Sequence, residues 1–381
     1  MVGDNNKVIY FDHAATTSPM PEVVSLYTEV ATKYYANSSS AHKLGLDNSR
    51  LLNKAREDIL KAFNLHNHEV IFTSGATEAN NLALKGYMER YQNRGKHLII
   101  SNIEHPSILN TADHLSKYGY DVTIVPVSSD GKVKLENIKK AIKEDTVLIS
   151  IMGINNETGI IQPIDEIATF IKQFPKIALH VDAVQAVGKI NLPYNDIDLI
   201  TVSLHKIGGL KGTGLLLKKK NIELTAMNDG GGQEKGYRSG TNDLAMAMTD
   251  AIAIKNALTY IEQNKEYVAS VTKPLYDYFL SKKDDVIVNS TFDNPYTMNI
   301  SLLHKKASVF AEFLSVNNIM VSTHSACSSK LDIGSPTLLA MGKNITLAKN
   351  SMRLSFSITN TKEEITRFIE VFEYGLKEIR G

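Results

Sequence analysis

Lys206 and Asp182 are the residues of this chain best suited to chemistry. Lys206 follows His205 and a strand-like run over 198–204, and a stretch with Gly208, Gly209, Gly212 and Gly214 comes next. Asp182 closes another apolar run, 177–181. An amine that can form a Schiff base, with a carboxylate that keeps a pyridine nitrogen protonated, is what pyridoxal 5'-phosphate (PLP) requires to accept electrons. A lone lysine after a strand is more often a surface group, so the reading depends on what ends the other strands.

Those ends carry further candidates. After 69–73 comes Ser74-Gly75-Ala76-Thr77-Glu78, which opens a helix. Glycine lets backbone approach a ligand and free N–H groups at a helix start attract phosphate, although the same residues would serve as a plain N-cap. His105 follows 97–101; it suits ring stacking or proton transfer, or is a loop histidine without a role. Asn155, Asn156 and Gly159 follow 146–152, as a donor for a phenolate oxygen or as a simple turn. Gln185 lies three residues past Asp182. Five neighbouring strands are thus expected to end in one crevice, where open α/β sheets bind ligands. No G-x-G-x-x-G follows the first strand and no P-loop lysine follows Gly75, which disfavours dinucleotides and nucleoside triphosphates. No His, Cys and carboxylate cluster has metal-ligand spacing, so no metal is expected.

The elements that must position these groups are legible. Between about residues 50 and 220, strand-like runs at 69–73, 97–101, 122–126, 146–152, 177–181 and 198–204 alternate with helix-like stretches at 77–91, 107–117, 135–143 and 163–174. That alternation predicts an α/β fold with a mainly parallel sheet flanked by helices. In the C-terminal third, Thr361 and Glu364 form a capping-box pattern before Ile365, Phe368, Ile369, Phe372, Leu376 and Ile379 at helical spacing. The expected division is a large domain over 15–257 and a smaller α+β domain over 1–14 and 258–381.

Bulk properties narrow the function. With 42 basic and 41 acidic side chains the net charge is +1, which gives no reason to expect binding to nucleic acid or a membrane surface. Lys218, Lys219 and Lys220 are a candidate local basic patch. No apolar run approaches the roughly 20 residues of a spanning helix, and the N-terminus lacks a signal pattern, so the chain reads as cytoplasmic. Its single cysteine, Cys327, excludes an intrachain disulfide and is either a buried small hydrophobe or a reactive thiol.

Segments 10–17, 74–78, 104–106, 155–159, 180–185, 203–206, 238–241 and 325–328 together resemble the cysteine desulfurases, the NifS/IscS-like branch of the class V aminotransferases, over nearly the whole chain. The resemblance implies a fold-type I PLP enzyme acting as a homodimer. It would take sulfur from L-cysteine, release L-alanine and leave a persulfide on Cys327 for an acceptor protein, either an iron–sulfur scaffold or a tRNA sulfurtransferase. It implies Lys206 as the Schiff-base lysine, Asp182 at the pyridine nitrogen, and His105 on the ring as a proton shuttle. Asn156 and Gln185 would approach the phenolic oxygen. Ala76, Thr77, Ser203 and His205 would hold the phosphate, and Thr241 would reach the phosphate of the neighbouring subunit. Arg353 and Asn37 would meet the substrate, Arg353 by clamping its carboxylate with a planar fork; without the family it would read as a surface ion pair. Cys327 would act as the nucleophile, which needs an accessible thiolate, and its small polar neighbours suit exposure.

The chain departs from the family pattern at several places. His324 stands for glycine, Ser38 for proline and Gln233 for histidine, while Gly208 and Leu210 stand where an aromatic residue and a proline are common. The sequence ends at Gly381 without the extension some relatives use to dock an iron–sulfur scaffold, which tilts the expectation toward tRNA thiolation. Two other readings stay open: a class V aminotransferase or selenocysteine-lyase-like enzyme, the former with no use for Cys327, and an inactive sulfur-relay partner.

Overall fold

The computed structural model describes residues 7–323 and 334–379. Its strands are β1 (Ile9–Tyr10), β2 (His68–Thr73), β3 (His97–Ser101), β4 (Asp121–Val125), β5 (Thr146–Met152), β6 (Ala178–Asp182), β7 (Leu199–Ser203), β8 (Gly214–Lys219), β9 (Val286–Val288), β10 (Thr297–Leu302), β11 (Ile319–Met320) and β12 (Ser351–Ser355). Seven of them form the main sheet in the order β2-β8-β7-β6-β5-β3-β4. Strands β3 to β7 pair in parallel, and β8 is antiparallel to both its neighbours. Helices cover both faces, so β3, β5, β6 and β7 are buried along their whole length. This is why they read as continuous apolar runs rather than as alternating ones.

Successive side chains of these strands feed two different cores. Ile99, Ile149, Val181 and Ile200 join one; Ile100, Leu148, Ala178 and Leu199 join the other. A third core, with Phe11, Phe279, Phe310, Phe368 and Phe372, packs around the antiparallel sheet β12-β10-β9 and the small pair β1-β11. The helix Lys362–Glu378 closes that core. Its capping box is complete, with Thr361 and Glu364 each bonding the other's backbone, and Ile365, Phe368 and Phe372 are buried.

Two expectations need correction. Strand β8 was hidden by the glycines before it, and it separates β2 from β7. The five site-bearing strands are therefore not all neighbours. Their ends still share one edge, because an antiparallel β8 between them leaves β2 running in the direction of β7. Thr73 and Ser203 both lie opposite Gly214. The three lysines at 218–220 are also not a free basic patch. Lys218 is fully buried, bonded to Glu69 and to the Ile222 carbonyl and lying 4.6 Å from the Tyr237 ring centroid. Lys219 pairs with Asp198 at 3.0 Å. Among the described residues, no helix is long and apolar enough to cross a membrane.

Candidate active site

A cavity of about 640 Å³ opens at that shared edge. Its walls include Ala76, Thr77, His105, Asn156, Asp182, Gln185, Ser203, His205, Lys206 and Arg353. Residues from six separate stretches of the sequence thus converge.

Asp182 ends β6 and is almost fully buried. Asn80 Nδ2 donates to its Oδ2 at 2.8 Å and the Val184 N–H to its Oδ1 at 3.1 Å. Behind it, His180 lies on the same strand face. Its two ring nitrogens meet Ser150 Oγ at 2.8 Å and Thr201 Oγ1 at 3.0 Å on the flanking strands. Burial pushes His180 down to about 3, so it is a neutral tie between strands.

His105 caps the helix Pro106–Lys117. The Ser107 N–H donates to its Nδ1 at 3.1 Å, so a neutral ring carries its proton on Nε2. Burial pulls the pKa of His105 down, helped by Lys206 and opposed by Asp182. Asn80 Nδ2 also donates to Ser107 Oγ at 2.8 Å, which links His105 and Asp182 through one amide. Asn80 and Ser107 were not anticipated. The signal available was a pair of asparagines, Asn80 and Asn81, inside a helical stretch, where such residues compete with the backbone.

Lys206 follows β7 in a single 3₁₀ turn. Its Nζ donates to the Ala14 and Ala15 carbonyls at 2.6 and 2.5 Å. The N-terminal segment is laced to this turn by Thr17, whose N–H and hydroxyl both donate to the His205 carbonyl. His205 Nδ1 lies 3.1 Å from Thr16 Oγ1; burial, reinforced by Lys206 and Lys211, pushes it down to about 4. Gly208 takes φ +81°, and a Cβ there would come within 2.9 Å of Met20. The side chain of Met20 thus occupies the space beside the position where an aromatic residue was expected.

The helix that starts at Ala76 runs on, through a π-turn at Leu82–Gly86, to Arg90. Its first-turn N–H groups have no intrahelical acceptor, and Gly75, at φ +152°, has open space where a Cβ would be. Asn155 organises the turn after β5: its Oδ1 accepts from the Glu157 and Thr158 N–H groups at 3.0 and 2.9 Å. This turn brings Asn156 to the cavity wall.

Arg353 is 2 % exposed, which rules out a surface ion pair. It bonds Asp12 at 2.8 Å and the Asn156 carbonyl at 2.9 Å, while its buried Nε has no partner among the described residues. Asn37 and Thr241 do not line this cavity. Both are exposed, and Asn37 Oδ1 caps its own turn by accepting from the Ser39 N–H at 2.8 Å. Cys327 and His324 lie outside the described residues. Among those described, no group of three or more His, Cys, Asp or Glu residues could hold a metal ion.

The donor set fits PLP. A buried carboxylate held by neutral donors suits a protonated ring nitrogen. The open helix start beside Gly75 suits a phosphate, and Lys206 supplies an amine in the same cavity.

Comparisons agree with this chemistry. The family described as aminotransferase class-V matches residues 9–368. A NifS/IcsS protein homolog of Lactobacillus delbrueckii subsp. bulgaricus is 38% identical, with 96% of each chain covered. Cysteine desulfurase IscS of Clostridium botulinum is 36% identical over 98% of this chain and 96% of that one. A solved NifS-like protein superposes with a TM-score of 0.90 at 32% identity, covering 98% of this chain and 100% of the other. With this cavity at the edge of its sheet and a match over almost its entire length, the chain belongs to the class-V aminotransferase family.

Proposed function

We propose that this protein is a PLP-dependent cysteine desulfurase. One observation carries the reading beyond the family: the described residues on either side of the segment that bears Cys327 are tied to Arg353, which lines the cavity, and to Asn155 and Glu157, which flank the cavity residue Asn156. On one side, Ser322 and Arg353 exchange both backbone hydrogen bonds, at 3.1 and 2.7 Å. On the other, Ser335 Oγ donates to Glu157, and Asn155 Nδ2 donates to Thr337 Oγ1 at 3.3 Å. Arg353 and Asn156, which these anchors meet or flank, are the residues proposed to bind substrate and cofactor.

Bound in the cavity, PLP would supply the electron sink that lets a substrate Cα proton leave. Lys206 would hold it covalently, Asp182 would keep its ring nitrogen protonated, and Asn156 and Gln185 would approach its phenolic oxygen. The Ala76 N–H, Thr77, Ser203 and His205 would bind the phosphate. His105, neutral with its proton on Nε2, would stack on the ring and move protons at the substrate. The guanidinium of Arg353 would clamp the substrate carboxylate. The Cys327 thiolate would take the sulfur of L-cysteine, leaving a persulfide on the enzyme and L-alanine as product.

The finer proposals follow the same line. The protein would act as a homodimer, with Thr241 reaching the phosphate in the partner subunit, and would work in the cytoplasm. The persulfide would pass to a protein acceptor, an iron–sulfur scaffold or a tRNA sulfurtransferase. The separate aromatic core around β10 and β12 supports a division into 15–257 and 1–14 with 258–381. Mass spectrometry after exposure to L-cysteine tests the central claim: one added sulfur should map to the Cys327 peptide while alanine accumulates. Cys327→Ala should abolish sulfide release, and unchanged turnover would favour an aminotransferase-type reaction instead.

A further inference from the structure

Lys189 is buried behind the cavity and is not one of its lining residues. Its Nζ donates to Gln185 Oε1 at 2.6 Å, and the Tyr296 ring centroid lies 6.0 Å away. Among the described residues no carboxylate lies within ion-pair distance of it. A charged lysine offers three donors and no acceptor, so the Gln185 amide must turn its oxygen toward Lys189 and its nitrogen away. Gln185 Nε2 accordingly donates to the Ala14 carbonyl at 3.0 Å, the same oxygen that accepts from Lys206 Nζ at 2.6 Å. The four groups form one line: Lys189, the Gln185 amide, the Ala14 carbonyl and Lys206.

We propose that Lys189 is a positioning residue that fixes the Gln185 amide with its NH₂ toward the cavity, so that the phenolic oxygen of PLP meets a donor and not an acceptor. This rests on the reading that PLP occupies the cavity with that oxygen near Gln185. Without Lys189 only the Ala14 carbonyl, which Lys206 shares, still favours this orientation of the amide, and any flipped population turns a carbonyl toward the phenolate and destabilises the ionised form. Burial, together with the charges of Lys206 and Arg353, pushes Lys189 down to about 7. An anionic oxygen nearby favours its charged form, which is the form that holds the amide.

The test uses the PLP-loaded protein and two readouts: the affinity for PLP, and the pH midpoint of the cofactor's visible absorption. Lys189→Met keeps the length of the side chain and removes the donor. It should raise the midpoint by about one unit, a tenfold change in proton affinity, and weaken PLP binding by about tenfold. Gln185→Met should do the same, and the double variant should shift no further than Gln185→Met alone. Lys189→Gln serves if the methionine variant does not fold, with a smaller shift in the same direction. An unmoved midpoint in a folded Lys189 variant, or additive shifts in the double variant, overturns the proposal. A change in melting temperature with the midpoint unmoved assigns Lys189 a purely structural role. Wild-type protein that binds no PLP would overturn the functional reading itself.

Discussion

Asp182 illustrates how the site works at the scale of single residues. Two neutral donors hold its carboxylate, and one of them, Asn80, also reaches the serine that orients His105. Asn80→Ala should therefore cost about 1–3 kcal/mol of stability by leaving a buried acceptor short of a donor, measured by urea unfolding, and should lower PLP affinity as well. Glu104, next to His105, allows a sharper test. Ser101 Oγ and the Met152 N–H both donate to its Oε1, at 2.5 and 3.1 Å, while Oε2 is buried without a partner among the described residues. Burial pushes this carboxyl from 4.5 up to about 8. The folded state therefore binds a proton that the unfolded chain releases near 4.5. The stability this contributes is complete below that value and is lost as pH rises through about 8. Glu104→Gln has no proton to lose. Its stability relative to wild type should improve steadily from about pH 5 to about pH 9 in urea melts, and a constant difference would refute the assignment.

At the scale of elements, the decisive contact is between β8 and the turn at Gly75 and Ala76, the proposed phosphate site. A Cβ at Gly214 would come within 2.6 Å of Gly75 Cα and 3.0 Å of the Ala76 nitrogen. Backbone cannot yield there as a flexible side chain would, so Gly214→Ala should force β8 and the turn apart. The expected cost is about 1–3 kcal/mol, appearing mainly as weaker PLP binding in a titration. A variant with wild-type affinity would remove this turn from the phosphate site. The loop that carries Thr241 is anchored just as firmly. Buried Glu234 accepts from Arg56 at 2.5 Å and from the Phe72 N–H at 3.0 Å, and Arg238 pairs with Glu78 at 2.9 Å. These ties attach the loop to β2 and to the helix beginning at Ala76, while Thr241 itself stays exposed.

For the whole molecule, that exposure leaves Thr241 accessible, as the proposed homodimer requires. If Thr241 serves the neighbouring active site, Thr241→Ala should weaken PLP binding about tenfold in the dimer, about 1.4 kcal/mol, and leave the folded monomer as stable as before. Light scattering should report twice the mass of one chain. A monomer that binds PLP normally would sink both the homodimer and the role of Thr241.

Much of this arrangement was legible before any coordinates. Strands buried on both faces leave unbroken apolar runs, and helices between them leave a 3.6-residue period, so the sheet and its polar strand ends could be read in order. The capping box at Thr361 is local chemistry and was equally plain. Strand β8 was not, because its glycines look like loop and its role depends on two strands far away in sequence. The lysines at 218–220 looked like a surface patch for the same reason; only the Glu69 partner and the fold around Tyr237 show that Lys218 is buried.

The sequence by itself determined which chemical groups this protein can bring to a cofactor, because residue types and strand periodicity are written locally. Tertiary structure alone decided which of them meet. The Asn80 link between His105 and Asp182, the carbonyls of Ala14 and Ala15 on Lys206, and the Ala14 carbonyl on Gln185 all join segments that chain order leaves unrelated. Hydrogen bonds between distant segments depend on distance in space, and spacing along the chain does not encode them.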